Sequence, residues 1–170
     1  FAQPAFAQVI AYPAPTGLAM SGDYVVKVGG QNLPVYRGQN THFPYSFAYF
    51  DYSGSALVEV TSVLKSLANV KVLPAAKGIV PTVSGNKMTF TVTKLYCHIS
   101  IEPDGKRGPL LLFANPIETS RPVPGTPGLI YFGPGYHKPN AITVRDNQTL
   151  YIAGGAIVQG GIDVMGSNIK

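Results

Sequence analysis

A twenty-residue echo near the end of the chain restricts the fold more than any other feature. Ile130-Tyr131-Phe132-Gly133-Pro134-Gly135-Tyr136 returns as Leu150-Tyr151-Ile152-Ala153-Gly154-Gly155-Ala156, and the same shift carries Ile142-Thr143-Val144 onto Ile162-Asp163-Val164. Short β-branched or aromatic triplets set off by glycines are what a solenoid of stacked strands requires, because each coil supplies strands that pair with those of the next. The glycines mark coil corners. The pattern predicts the first coils of a right-handed parallel β-helix over residues 129–170. A lone coil cannot bury its own apolar face, and roughly three or more with a cap are expected for stability. The sequence therefore reads as truncated, with the remaining β-helix of the same protein as partner to its last coil.

The composition agrees with an all-β chain. Nineteen glycines and fifteen prolines accompany 45% hydrophobic and 12% charged residues, which suits a turn-rich globular β protein better than a disordered one. Most windows meet Gly or Pro before three helical turns are complete. The net charge of +5 is scattered, with Lys106-Arg107 the one adjacent basic pair. A nucleic-acid groove concentrates its charge, so that partner is not expected, whereas an acidic polysaccharide would be drawn weakly to such a surface. No apolar run reaches the length of a membrane span. The single cysteine, Cys97, rules out an intrachain disulfide framework and reads as a small buried hydrophobe. Ala5-Phe6-Ala7 has the small-x-small form of a secretory cleavage site, which predicts a secreted or periplasmic protein.

Residues 1–20 carry little pattern and are expected to form an extended lead-in. From Asp23 the pattern changes. Tyr24–Val28, a turn at Gly29-Gly30-Gln31-Asn32 and Leu33-Pro34-Val35-Tyr36 read as strand, turn and second strand, with Pro34 at an edge or strand start. Ala56–Val63, Val70–Leu73, Met88–Thr93 and Leu95–Ile101 alternate polar and apolar residues, as sheets with one wet and one dry face do. Strands about every ten residues predict an immunoglobulin-like β-sandwich over 21–115, with Pro103-Asp104-Gly105-Lys106 as a hairpin turn. Leu110–Ala114 is wholly apolar and should be covered on both faces. Four prolines then mark 116–128 as a stiff linker.

Tyr45 and Tyr49 lie in an aromatic run from Phe43 to Tyr52, and Tyr131 and Tyr136 in the first coil. Flat rings complement the apolar faces of sugars, so these four tyrosines are the candidate carbohydrate contacts, although period-two aromatics more often pack a core. The three histidines, His42, His98 and His137, have no ligand spacing, and neither a metal site nor a cofactor is expected. Cys97 and His98 should point to opposite faces of one strand and so form no catalytic pair. Gly133-Pro134-Gly135 is not a dinucleotide fingerprint, because no helix follows it.

Leu112-Phe113-Ala114-Asn115-Pro116, Ile130–His137 and Gln148–Gly160 together resemble the start of polysaccharide-degrading glycoside hydrolases of the pectin-lyase-like fold. The resemblance is to polygalacturonase-like enzymes of family 28 and next to dextranase-like enzymes of family 49. It implies a β-sandwich leading into a right-handed parallel β-helix, and a polysaccharide or oligosaccharide partner, acidic in the first case. The Asn-Thr-Asp, Asp-Asp, Gly-His-Gly and Arg-Ile-Lys segments of polygalacturonase-like enzymes do not occur here, so no catalytic residue carries over. Glycoside hydrolysis needs two flanking carboxyl groups. Among the acids present, Asp146 sits in a turn, Asp163 in a strand, and Glu102 and Asp104 flank a hairpin. The chain is therefore expected to be the N-terminal part of a hydrolase whose carboxylates lie beyond residue 170, inactive by itself. The alternatives are a non-catalytic carbohydrate-binding module and a structural solenoid of the adhesin kind.

Overall fold

The computed structural model describes residues 8–39, 43–103 and 108–170. The expected Pro103–Lys106 turn, the Lys106-Arg107 pair, His42 and the Ala5-Phe6-Ala7 segment lie wholly or partly outside these residues. The described chain is all-β apart from one 3-10 turn, Ala75–Lys77. It divides into two compact units: residues up to Tyr12 with Ala19–Ile117, and Pro13–Leu18 with Glu118–Lys170.

The first unit contains eleven strands among the described residues: β1 (Gln8–Ile10), β2 (Tyr24–Val28), β3 (Gln31–Leu33), β4 (Tyr36–Gln39), β5 (Pro44–Ser53), β6 (Ala56–Ser62), β7 (Lys71–Leu73), β8 (Thr82–Ser84), β9 (Lys87–Val92), β10 (Cys97–Glu102) and β11 (Leu110–Pro116). One sheet runs β3-β2-β6-β9-β8 and the other β1-β5-β11-β10-β7, with β4 also on β5. Alternation sets the dry faces. Val26 lies opposite Val60 and Val58 opposite Phe90, all buried, while Lys27 and Glu59 pair on the wet face. Phe50, Tyr52, Ile99, Ile101, Leu110 and Leu112 join them from the other sheet in one continuous core. Burying each such side chain contributes roughly 1.5–3 kcal/mol, so this shared core, more than any surface pair, holds the unit together.

Three local readings change. The Gly29-Gly30 turn, with φ of 54° and 81°, is shorter than expected, and β3 begins already at Gln31. Leu33–Tyr36 is not one strand: the chain leaves the first sheet after Leu33, and Tyr36 opens β4 in the second. Pro34 has no N–H to continue a ladder, which fits a crossing point. Leu110–Ala114 is covered unequally, with Leu110, Leu112 and Ala114 buried and Leu111 and Phe113 half-buried. It sits between β10, antiparallel, and β5, parallel. The lead-in contributes β1, paired with the far end of β5.

The second unit has six short strands: β12 (Leu129–Phe132), β13 (Gly135–His137), β14 (Ala141–Arg145), β15 (Thr149–Ile152), β16 (Ala156–Val158) and β17 (Gly161–Met165). They pair only in parallel, as β12–β15, β13–β16 and β14–β17. Leu129 lies opposite Thr149, Gly135 opposite Ala156 and Ala141 opposite Gly161, so the offset is 20, then 21, then 20. The middle strand thus departs from the uniform shift. The corner Ala153-Gly154-Gly155 is one residue longer than Gly133-Pro134, and Gln159-Gly160 is one shorter than Lys138-Pro139-Asn140. Asn147 and Asn168 stack at another corner, each left-handed, with Asn168 Nδ2 donating to Asn147 Oδ1 at 2.9 Å. Ile142 and Val144 are buried, whereas their register partners Ile162 and Val164 are exposed.

Candidate functional site

Stacking a sugar requires an aromatic face open to solvent. Tyr45, Phe47 and Tyr49 share the outer side of β5, opposite the buried Ser46, Ala48 and Phe50. Tyr49 stacks on Tyr12 at 5.8 Å between centroids and on Tyr36 at 6.0 Å, so two rings occupy the space a sugar would need. A β-carbon added at Gly38 would fall on the Tyr45 ring; glycine is required there because the ring lies against the β4 backbone. Tyr45 also tilts onto Phe47 at 6.3 Å.

The two solenoid tyrosines are engaged as well. Tyr131 stacks on Tyr151, its register partner one coil on, with centroids 5.4 Å apart and planes at 24°. The Tyr151 hydroxyl donates to Glu118, which pairs with Arg121 at 3.3 Å. Residues 118–121 of the expected linker are thereby held to the second unit. Tyr136 has the Lys138 ammonium 4.8 Å from its ring centre, a cation–π contact, and donates its hydroxyl to Gln159. The four predicted contacts therefore do not converge. Two serve the first unit's outer face and two the packing between parallel-paired segments of the second.

Burial acts on several of these phenols. It raises Tyr24, Tyr36, Tyr49 and Tyr52 above the ordinary tyrosine value. The Tyr36 and Tyr49 hydroxyls are buried and lie outside hydrogen-bonding geometry of any partner, though they interact electrostatically. Tyr151 is pushed up to about 12, first by burial and then by its bond to Glu118. A folded value above the unfolded one near 10 means the neutral phenol's contribution is complete below about pH 10 and is lost as pH rises toward 12. Stability should accordingly fall in that window. Absorbance at the tyrosinate band should show these five of the ten tyrosines ionising late, in step with loss of structure; ten independent titrations near 10 would refute this.

The remaining reactive groups occupy structural positions. Asp146 Oδ1 accepts the Ser167 backbone N–H across the coil corner. Asp163 lies opposite Thr143 and is exposed, some three residues along the strand from Asp146, or about 10 Å at the usual rise. His137 Nε2 donates to the Gly133 carbonyl at 2.7 Å. His98 is exposed while Cys97 is buried, on opposite faces of β10. No group of three or more His, Cys, Asp or Glu among the described residues could hold a metal ion, and no helix among them is long and apolar enough to cross a membrane. Burial raises the Cys97 thiol above its ordinary value, despite the opposing effect of Lys77 and Lys94. A disulfide reagent should therefore label Cys97 slowly in the native chain and rapidly in denaturant; equal rates would contradict the burial.

The residue that sequence reasoning passed over is Tyr96. It was expected within a strand from Leu95, yet β10 begins at Cys97 and Tyr96 stands on the bend before it, 61% exposed. Parity held the signal: Cys97, Ile99 and Ile101 are apolar and buried, which assigns Tyr96 and His98 to the wet side.

No protein-family model matches the sequence, and no curated protein matches it. Among solved structures the chain is similar to Dex49A from Penicillium minioluteum, with 15% identity and a TM-score of 0.63. The match covers 89% of this chain and 44% of that one, so the chain spans less than half the length of the structure it resembles. At that identity the likeness shows the fold: an all-β chain built like part of Dex49A.

Proposed function

We propose that the chain is the N-terminal part of a polysaccharide-degrading glycoside hydrolase. In this reading residues 21–115 are an immunoglobulin-like β-sandwich, 116–128 the Pro-rich connection, and 129–170 the first two coils of a right-handed parallel β-helix. The acid/base carboxylates then stand on coils beyond residue 170. The observation that carries the proposal is the succession of two-sheet unit and parallel-paired coils. The likeness of its fold to part of Dex49A supports it. A polymer too large to enter a cell would need a secreted or periplasmic enzyme.

The test is release of reducing ends from dextran and polygalacturonate. A protein carrying these residues followed by further coils should release them, and the 170-residue chain alone should not. Turnover by the chain alone, or none by the longer protein on any glycan of a broad panel, would overturn the proposal.

A further inference from the structure

We infer that Asn147 is an acceptor for N-linked glycosylation, taking its glycan from a polyisoprenyl-pyrophosphate-linked oligosaccharide. Asn147-Gln148-Thr149 has the acceptor form: asparagine, a residue other than proline, then threonine. Of the eight asparagines in the chain, it alone has Ser or Thr two places on, so any glycan attached through asparagine reports on this one site.

Such a triplet is usable only where the folded chain leaves room for a bulky polar group. Asn147 meets that condition. It is exposed and stands in the turn between β14 and β15, outside both ladders. The turn is closed without its side chain: the Gln148 backbone N–H donates to the Arg145 carbonyl at 3.1 Å, and Gln148 Oε1 accepts from the Arg145 backbone N–H at 2.7 Å. Its φ of 59° lies in the left-handed region, where asparagine is several-fold enriched.

The two ends of the Asn147 amide have different roles. Oδ1 accepts from Asn168 Nδ2 at 2.9 Å, whereas Nδ2 donates to no group among the described residues. Nδ2 is the atom that would carry the glycan. In the transfer a bond forms between Nδ2 and the anomeric carbon of the first sugar, as the bond from that carbon to the pyrophosphate oxygen breaks. The lipid pyrophosphate leaves with the electron pair, and one amide proton passes to a base of the transferase. The product is still an amide with its carbonyl oxygen intact, so the bond from Asn168 persists. The Asn147 backbone N–H, which donates to the Ser167 carbonyl at 3.0 Å, is likewise untouched. This corner can therefore carry a glycan without giving up a contact. The inference rests on the reading of the chain as secreted, since the lipid-linked donor is met in a secretory compartment.

Expressing the 170-residue chain behind a eukaryotic secretory leader tests it. The expected result is a band shift that peptide N-glycosidase removes, leaving aspartate at position 147 for peptide mass mapping to locate. Asn147→Asp keeps a side chain at home in the left-handed region and an acceptor for Asn168, but has no amide nitrogen; it should fold like the parent and lose the shift. Thr149→Ala should lose it too, and Thr149→Ser should retain it. A chain recovered from the secretory compartment with Asn147 unmodified, or a glycosidase-sensitive shift that survives in Asn147→Asp, would overturn the site. The supplied leader separates this result from the secreted reading: failure of the full-length protein's own N-terminus to direct export would overturn that reading and not the acceptor.

Discussion

Replacing Phe50 by alanine is expected to remove about 3–5 kcal/mol of stability, the cost of emptying a fully enclosed aromatic position. Phe50 has no exposed surface and packs against Tyr52, with centroids 5.7 Å apart, inside the core that both sheets share. β5 makes it hard to compensate, because β1 and β4 on one edge and β11 on the other hold the strand in place. A domain of this size has roughly 5–15 kcal/mol in total, so the variant should unfold at a much lower urea concentration. Under two-state unfolding the slope of the transition should stay the same. A loss below about 1 kcal/mol would show that the sheets collapse into the gap and that the core is softer than its burial indicates.

Gly160→Val should do comparable damage in the second unit by a different route. A β-carbon at Gly160 would fall on the Pro139 carbonyl oxygen, deep inside van der Waals contact, and close to the Pro139 ring. The neighbour in the way is backbone, so no rotamer change relieves the clash. The segments at Gly160 and Pro139 would have to separate, at a cost of about 3 kcal/mol. Hydrogen exchange reads this directly: amides of β14 and β17 should lose protection while those of β6 and β9 keep theirs. Unchanged protection in Ile142–Val144 would mean that the corner is not a point of contact between the coils.

These two sites also show what could be read in advance. Phe50 belongs to a strand whose alternation is visible in the residues, and the same holds for β2, β6, β9 and β10, because burial on one face leaves a period of two. The twenty-residue repeat was visible too, since parallel pairing places like residues over like. The corner at Gly160 was harder. A corner's length affects where the next strand starts without altering what that strand contains, so the displaced β13–β16 register left no periodic trace. The change of sheet at Pro34 was hidden for a related reason: Leu33 and Tyr36 are both apolar and both buried, but in different sheets.

The candidate contacts were less legible than the fold. Tyr49 and Tyr131 have the composition of a sugar platform, yet the neighbours that take up their faces, Tyr12, Tyr36 and Tyr151, come from other strands or coils. Whether an aromatic is available depends on what stands across from it, which is a property of register rather than of the local run. Tyr96 shows the converse. Its run looked like strand, yet β10 begins only at Cys97, and the Tyr96 carbonyl accepts from a lysine nineteen residues earlier in the chain.

The alternating offsets of the coils carry an evolutionary implication. Ala153-Gly154-Gly155 is one residue longer than Gly133-Pro134 and Gln159-Gly160 one shorter than Lys138-Pro139-Asn140, so corners gain and lose residues while the strands between them keep their pairing. Related chains should thus carry length changes at the corners rather than within the strands, a gain at one corner offset by a loss at the next keeping the twenty-residue period. A lineage could wander in corner length while its rungs stay aligned, and homologues aligned without gaps would conceal that history.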